Sequence, residues 1–137
     1  MPHMTWTEKQ SVGVRDLDED HKQVFAMIND LSDAIAAGYS RETLESVLAQ
    51  LMHYTKIHLA REEEYFAQTK YPQAIEHKME HDRMVKRVQD LIARFFNGGS
   101  VVALSLELVS FLRDWWASHI ERADKMYSAY FNFNGIH

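Results

Sequence analysis

Four long segments of the chain place apolar residues at every third or fourth position, which is the spacing of one helix face. Gly38, Pro72 and the Gly98-Gly99 pair separate these segments, and the sequence shows no run of the period-two alternation typical of a strand. The chain contains only 5 Gly and 2 Pro, so few other positions would interrupt a helix. Because short loops make sequential helices antiparallel, the pattern predicts an all-α fold, an up-down-up-down four-helix bundle.

The length of 137 residues suits one domain with one ordinary core. We expect that domain to span residues 1–137, with an N-terminal arm at 1–15 that carries Trp6 and a bundle at 16–137. Small polar residues and proline favour helix starts, where the first N–H groups have no partner inside the helix. The predicted start signals of the four helices are, in order, Asp16 or Asp18, Ser40, Pro72 and Ser100.

The composition excludes several classes of site and partner. Cysteine is absent, which excludes disulfide scaffolds, thiolate metal sites, iron–sulfur clusters and cysteine nucleophiles. The net charge of −5 argues against nucleic acid or an anionic membrane surface as a partner. The longest apolar stretch, residues 101–112, is interrupted by polar residues and is not expected to span a membrane. With no signal-peptide pattern at its start and scattered surface charges, the chain is expected to be a cytoplasmic monomer.

Two pairs of ionisable residues lie within the apolar stripes. His58 and Glu62 are four residues apart on the second predicted helix, and His77 and His81 are four apart on the third. Four residues turn a helix by about 400°, so each pair projects from one face, one turn apart. Two ligands of a single metal ion need this spacing, and the sequence therefore offers two candidate ligand pairs.

The fourth predicted helix offers His119 and Asp124, which are five residues apart. Five residues of a regular helix turn the second side chain about 140° away from the first. For both to reach one site, we predict a π-helical or irregular turn between them, a feature common at functional sites. His21, near the start of the first helix, is a seventh candidate.

The seven candidates are expected to lie in one layer at one end of the bundle. In an antiparallel bundle, the starts of the first and third helices share an end with the finishes of the second and fourth, where all seven lie. A buried polar network without metal is the alternative, but burying seven polar groups without a partner is costly. His3 in the arm, His53 and the terminal His137 are expected to have no role in the site.

Five imidazoles and two carboxylates exceed the four ligands of one zinc ion. They suit two metal ions, with three histidines on one, two on the other and both carboxylates bridging. Mixed nitrogen and oxygen ligation favours iron or manganese. The Glu-x-x-His pattern of ferritin-like di-iron bundles is absent, and histidine-rich ligation favours reversible binding of a small molecule over strong oxidation of a substrate.

The order of these motifs resembles the hemerythrin family in its bacterial single-domain form, and the resemblance covers nearly the whole chain. No single pair is specific, but the full set in this order is. The resemblance rests on Trp6, Ser11-Val12-Gly13-Val14, Asp18-Glu19-Asp20-His21-Lys22, His58-x-x-x-Glu62-Glu63, His77-x-x-x-His81-Asp82 and His119-Ile120-x-x-x-Asp124-Lys125.

The resemblance implies an oxo- or hydroxo-bridged non-haem centre of two Fe ions in a four-helix bundle. It implies that one iron is held by three histidines and that the other is held by two and keeps an open position. It further implies reversible binding of O2, end-on at the five-coordinate iron, as a hydroperoxide, with no catalytic side chain. The implied ligands are His77, His81 and His119 on one iron, His21 and His58 on the other, and Glu62 and Asp124 between them.

An apolar pocket is expected around the open position, to hold O2 without oxidising the iron. The candidate lining residues are Phe25, Leu59, Phe66, Trp115 and Trp116, each of which could equally be ordinary bundle core. Bacterial relatives often have leucine at the position of Trp116. We therefore hypothesise that Trp116 narrows access to the open position and slows ligand exchange or autoxidation.

Oxygen storage, delivery or sensing is the leading functional expectation. The alternative is a di-iron enzyme that handles peroxide or nitric oxide, or an iron-cluster-repair protein. Repair proteins of related fold usually carry an additional cysteine-bearing domain, and this chain offers no cysteine. A chemosensory module is a third alternative, although such domains are usually joined to a signalling domain or a membrane anchor.

Overall fold

A computed structural model describes residues 3–137, and Met1 and Pro2 lie outside it. The long helices are α1 (Arg15–Ala36), α2 (Arg41–Thr69), α3 (Ala74–Phe96) and α4 (Val101–His119). A π-helical turn, Ile120–Asp124, follows α4 and leads directly into α5 (Lys125–Phe133), so these three form one continuous fourth helix. No strand forms between residues 3 and 137, and the predicted all-α fold with four helices is confirmed.

The helices form a ring in which α1 contacts α2 and α4, and α3 contacts the same two helices. Each helix turns its apolar stripe inward, as Leu17, Val24 and Ile28 of α1 show by being fully buried. Burying such a side chain contributes about 1.5–3 kcal/mol, so the stripes hold the four helices in register. Within the described part of the chain, no helix combines the length and apolar character needed to cross a bilayer.

Two of the predicted helix starts are confirmed and two are wrong. The Ser40 and Ser100 hydroxyls cap α2 and α4 by accepting from the N–H groups of Thr43 and Ala103. Helix α3 begins at Ala74, two residues after Pro72, because α2 ends at Lys70 in a left-handed conformation and the chain needs an intervening turn to reverse.

Asp16 and Asp18 were predicted as alternative caps of α1, and both alternatives are wrong. Val14 occupies the cap position instead. The Asp18 carboxylate accepts from the Val12 N–H at 2.8 Å and from the Ser11 hydroxyl at 2.5 Å, so it fastens the arm to the first turn of α1. Asp16 accepts from the hydroxyl of Tyr65 on α2. Asp18 binds the arm because the arm folds back across the start of α1, and Asp16 binds α2 because these two helices pack side by side.

The N-terminal arm packs against α1. A single 3-10 turn, Glu8–Gln10, is its only helical part within residues 3–14. The Trp6 ring lies under the Lys22 ammonium group at 4.5 Å, and Val12 is fully buried in the core. The arm therefore runs back along α1, from the contact of His3 with Asp33 to the end of the bundle at which α1 begins.

Candidate metal centre

All seven candidate ligands meet in one buried layer at that end of the bundle. None of them is more than 5% exposed. Helices α1 and α3 contribute from near their starts, and α2 and the fourth helix contribute from their later parts, as the antiparallel order requires. The ligands by element are His21 of α1, His58 and Glu62 of α2, His77 and His81 of α3, His119 of α4 and Asp124 of the π turn.

The π turn brings His119 and Asp124 together. A π turn closes hydrogen bonds between residues five apart, so two residues separated by five positions lie on nearly the same face of the helix. Asp124 Oδ1 lies 2.9 Å from His119 Nε2. The predicted π turn is confirmed at Ile120–Asp124.

The candidate ligands form two groups that share their carboxylates. In each group one ligand atom per residue lies within 4.8 Å of all the others. We call the set with three imidazoles the three-histidine group and the other the two-histidine group. The three-histidine group is His77, His81 and His119 with Glu62 and Asp124, and the two-histidine group is His21 and His58 with the same two carboxylates.

The imidazole nitrogens stand at the spacing expected around a cation. His119 Nε2 lies 3.1 Å from His77 Nε2 and 3.2 Å from His81 Nε2. His21 Nε2 lies 3.1 Å from His58 Nε2. Ligands at right angles around an ion, about 2.1 Å from it, would stand about 3.0 Å apart. The nitrogens therefore converge in a way that suits metal ligation.

Asp124 directs one oxygen at each group. Its Oδ1 lies 3.0 Å from His77 Nε2, and its Oδ2 lies 3.2 Å from His21 Nε2. Among residues 3–137 neither oxygen has a partner in hydrogen-bonding geometry, although both are buried. A buried carboxylate without donors is costly, and a cation between the nitrogens and oxygens would satisfy it.

Glu62 spans the two groups in the same way. Its Oε1 lies 3.1 Å from His81 Nε2 and 3.4 Å from His77 Nε2. Its Oε2 lies on the other side, 3.7 Å from His58 Nε2. Oε1 is also buried without a hydrogen-bond partner in the described part of the chain. The donor set thus fits two cations that share two carboxylates.

The acids and imidazoles of the layer shift one another's pKa values. Burial raises the pKa of Asp124, but the charge and contacts of the histidines outweigh burial and hold that pKa well below its usual range. Burial lowers the pKa of His77, but contacts with Asp124 and Glu62 outweigh it and raise the pKa to about 10. The same balance raises the pKa of His21 and of His81. Without a metal, the two buried acids therefore favour the protonated form of these three imidazoles.

Three of the five imidazoles contact a carboxylate through Nδ1, the ring nitrogen that faces away from the centre. These three carboxylates were not among the predicted site residues. The Nδ1 atom of His58 lies 2.9 Å from Asp20, that of His119 lies 2.9 Å from Glu80, and that of His81 lies 3.2 Å from Glu63. Carboxylates in this position fix the ring orientation and increase the basicity of the metal-facing nitrogen. Each acid is adjacent in the sequence to one of the seven candidates, and that adjacency was the available signal.

Tyr127 is a further residue that the sequence analysis missed. Its hydroxyl donates to Glu62 Oε2 at 2.5 Å. Burial, together with the charges of Asp124 and Glu62, raises the pKa of Tyr127 well above its ordinary value, so the phenol stays protonated. Tyr127 lies three residues after Asp124, about one helical turn, and this spacing could have indicated its position.

Among the five predicted pocket residues, Trp116 packs against the two-histidine group. Its fully buried ring lies 5.6 Å from that of His58 and 6.0 Å from that of His21. Trp115 stacks on His119 at 4.2 Å and Phe66 packs on His77 at 4.8 Å, so these two lie beside the three-histidine group. Phe25 and Leu59 are buried in the core, and the roles of all five in a pocket stay predictions.

The remaining histidines lie away from the layer. His3 is exposed and contacts Asp33 at 2.7 Å. His53 and His137 are also exposed. Eight histidines therefore divide into five in the buried layer and three on the surface.

Comparison with known proteins assigns this arrangement to one family. The family model described as "Hemerythrin HHE cation binding domain" matches residues 12–131. A bacteriohemerythrin of Methylococcus capsulatus is 34% identical over 128 residues, covering 93% of this chain and 95% of that protein. A bacteriohemerythrin of Pseudomonas aeruginosa is 32% identical over 127 residues, covering 93% of this chain and 80% of that protein.

Solved structures agree with the sequence relatives. A crystal structure of a wild-type hemerythrin matches with a TM-score of 0.86 and 33% identity, covering 93% of this chain and 97% of that one. A single-substitution variant of hemerythrin matches with a TM-score of 0.87 and 34% identity, covering 95% and 98%. The likeness therefore extends over nearly the full length of both chains.

Proposed function

The chain belongs to the hemerythrin family, and from this premise we propose that it binds O2 reversibly at a pair of iron ions. The observation that carries the proposal is the pair of buried ligand groups that share Glu62 and Asp124. Two metal ions are the simplest occupants of such a set, because each group offers enough ligands for one ion.

The two groups would hold their ions differently. The three-histidine group offers three imidazoles and two carboxylate oxygens, so an ion there would have few positions free. The two-histidine group offers one imidazole fewer, so an ion there would keep a position open for an external ligand. When bound, the two irons would supply the two electrons that O2 binding requires and take them back on release.

The residues around the two-histidine group would protect that exchange. His21 and His58 are both fully buried, and the Trp116 ring packs against them. Exclusion of water favours release of an unchanged ligand over its further reduction. The proposed role is therefore binding for storage, delivery or sensing of O2, without catalysis.

Absorption spectroscopy of the iron-loaded chain tests the proposal directly. We expect two iron ions per chain by metal analysis, and a visible band that appears when O2 is added to the reduced protein and disappears when O2 is removed. The band should survive repeated cycles. Rapid autoxidation with turnover of peroxide would instead favour a di-iron enzyme, and an iron content of one would contradict the two-ion centre.

A matched pair of histidine variants sharpens this experiment. His58→Ala removes a buried candidate ligand, whereas His53→Ala removes an exposed histidine of the same helix. We expect the first variant to lose the O2-dependent band and the second to keep it. Equal spectra from the two variants would contradict the assignment of His58 to the centre.

A further inference from the structure

The two oxygens of the Glu62 carboxylate have different surroundings. Oε1 faces the imidazoles of His77 and His81, at 3.4 Å and 3.1 Å. Oε2 faces His58 at 3.7 Å and also accepts the hydroxyl proton of Tyr127 at 2.5 Å. The hydrogen bond thus reaches only the oxygen on the side of the two-histidine group.

We infer that Tyr127 makes the Glu62 bridge unequal, because its hydroxyl draws charge from Oε2 and weakens that oxygen as a ligand for an ion in the two-histidine group. Tyr127 is a positioning residue in this role, since it acts through Glu62. The inference rests on the proposed function, because it assumes that both groups hold a metal ion. An ion that receives less charge from the bridge accepts an external ligand more readily.

The surroundings of Tyr127 keep its hydroxyl on this one oxygen. The side chain is fully buried, and its ring stacks on Phe131 at 4.4 Å and 18°. The edge of the Phe66 ring, 5.9 Å away, closes another side. A fully buried ring packed between two aromatic neighbours cannot swing away from Glu62, so these neighbours hold the hydroxyl at Oε2.

Asp124 provides an internal comparison. It also directs one oxygen at each group, but neither oxygen accepts a hydrogen bond from any residue between 3 and 137. The two bridging carboxylates are therefore unlike, and the difference comes from a single phenol. Its removal should change the two-histidine group and leave the three-histidine group as it is.

Titration of the metal-free chain with Co²⁺ tests this inference. Two binding steps are expected, and His58→Ala assigns one of them by abolishing it. Tyr127→Phe removes only the hydroxyl, and we expect it to tighten the step of the two-histidine group about tenfold while the other step changes less than about twofold. An unchanged or weakened step, or an equal change in both steps, would overturn the inference.

Tyr71→Phe is the matched control. Tyr71 is buried in the same aromatic cluster, with its ring 6.4 Å from that of Tyr127. Within the described residues its hydroxyl is not bonded to Glu62, whose Oε2 accepts from Tyr127. The control should leave both steps unchanged, and a tightening as large as that in Tyr127→Phe would overturn the inference.

Replacement of Tyr127 by 3-fluorotyrosine keeps the test decisive if the phenylalanine variant does not fold. A fluorinated phenol is more acidic and a stronger donor, so the step of the two-histidine group should weaken. A tightening would overturn the inference. If the unaltered chain takes up fewer than two Co²⁺ ions, the proposed two-ion centre fails and the inference fails with it, whereas two ions with unresponsive Tyr127 variants would overturn the inference alone.

Discussion

The carboxylate of Asp20, which contacts Nδ1 of His58, should control how tightly an ion is held in the two-histidine group. Asp20 is 3% exposed and accepts from His58 Nδ1 at 2.9 Å, from Arg61 at 2.7 Å and from the Tyr54 hydroxyl at 3.0 Å. Asp20→Asn keeps the size of the side chain and removes its charge. The imidazole of His58 would then lose the anion that fixes its ring and increases the basicity of its metal-facing nitrogen.

The expected magnitude follows from these contacts. Loss of a carboxylate behind a metal-binding histidine typically costs about 10–100-fold in affinity, which corresponds to about 1.4–2.8 kcal/mol. A hydrogen bond to a charged group contributes about 1.5–3 kcal/mol to folding. The Arg61 side chain is 38% exposed and can rehydrate, so the buried bond to His58 accounts for most of the loss. We expect the metal-free variant to be destabilised by about 2 kcal/mol.

Chelator competition with Co²⁺ measures the affinity, and urea unfolding of the metal-free chain measures the stability. Glu63→Gln is the control, because the Glu63 side chain is 31% exposed and its contact with His81 is longer, at 3.2 Å. Water can replace that contact, so the control should lose less affinity. If Asp20→Asn loses no more affinity than Glu63→Gln, then a buried carboxylate behind His58 does not determine metal binding.

Three further predictions concern access, protons and stability. Trp116→Ala should speed O2 dissociation and autoxidation while lowering stability by about 3–5 kcal/mol; stopped-flow rates equal to those of the unaltered chain would contradict a role of Trp116 in access. Contacts with Asp124 and Glu62 raise the pKa of His77 to about 10 without metal, so this ring should be protonated at pH 7 and should release its proton when a metal binds. Metal affinity should therefore rise as pH rises towards 10. Calorimetry at pH 7 in two buffers should detect at least about one released proton. The same shift means that protonated His77 stabilises the metal-free fold fully below pH about 6.5, and that this stabilisation disappears as pH rises through about 10. Chelation should lower the melting temperature, because the buried acids and imidazoles lose their shared cations; an unchanged melting temperature would contradict metal binding in the buried layer.

The fold and the positions of the seven candidates could be predicted because both depend on spacing along the chain. A period of three to four residues fixes which face of a helix is buried, and the antiparallel order fixes which ends meet. Even the π turn was predictable, since His119 and Asp124 could share a site only if the helix between them was irregular. These inferences need no knowledge of the contacts between helices.

The supporting residues could not be predicted with the same rules. Asp20 and Glu80 each come directly before a candidate ligand, so a helix directs them about 100° away from it, onto what looks like a solvated face. They reach imidazoles of other helices, His58 and His119, because neighbouring helices pack close enough to turn that face inward. The errors at Asp18 and Pro72 have a related cause, because local start signals carry no information about how the arm and the loop fold back. The single domain over 1–137, the monomeric state and the cytoplasmic location stay predictions.

The π turn divides the fourth helix into two angular frames. Residues before it, such as His119, follow one frame, and Asp124, Tyr127 and Phe131 follow another that is advanced by one residue. Winding the same residues as a regular α-helix would rotate the whole second frame by about 100° relative to His119. The carboxylate of Asp124, the phenol that donates to Glu62 and the ring stacked on that phenol would then leave the centre together. The π turn thus takes up one extra residue and keeps the last part of the chain facing the layer that the first three helices form.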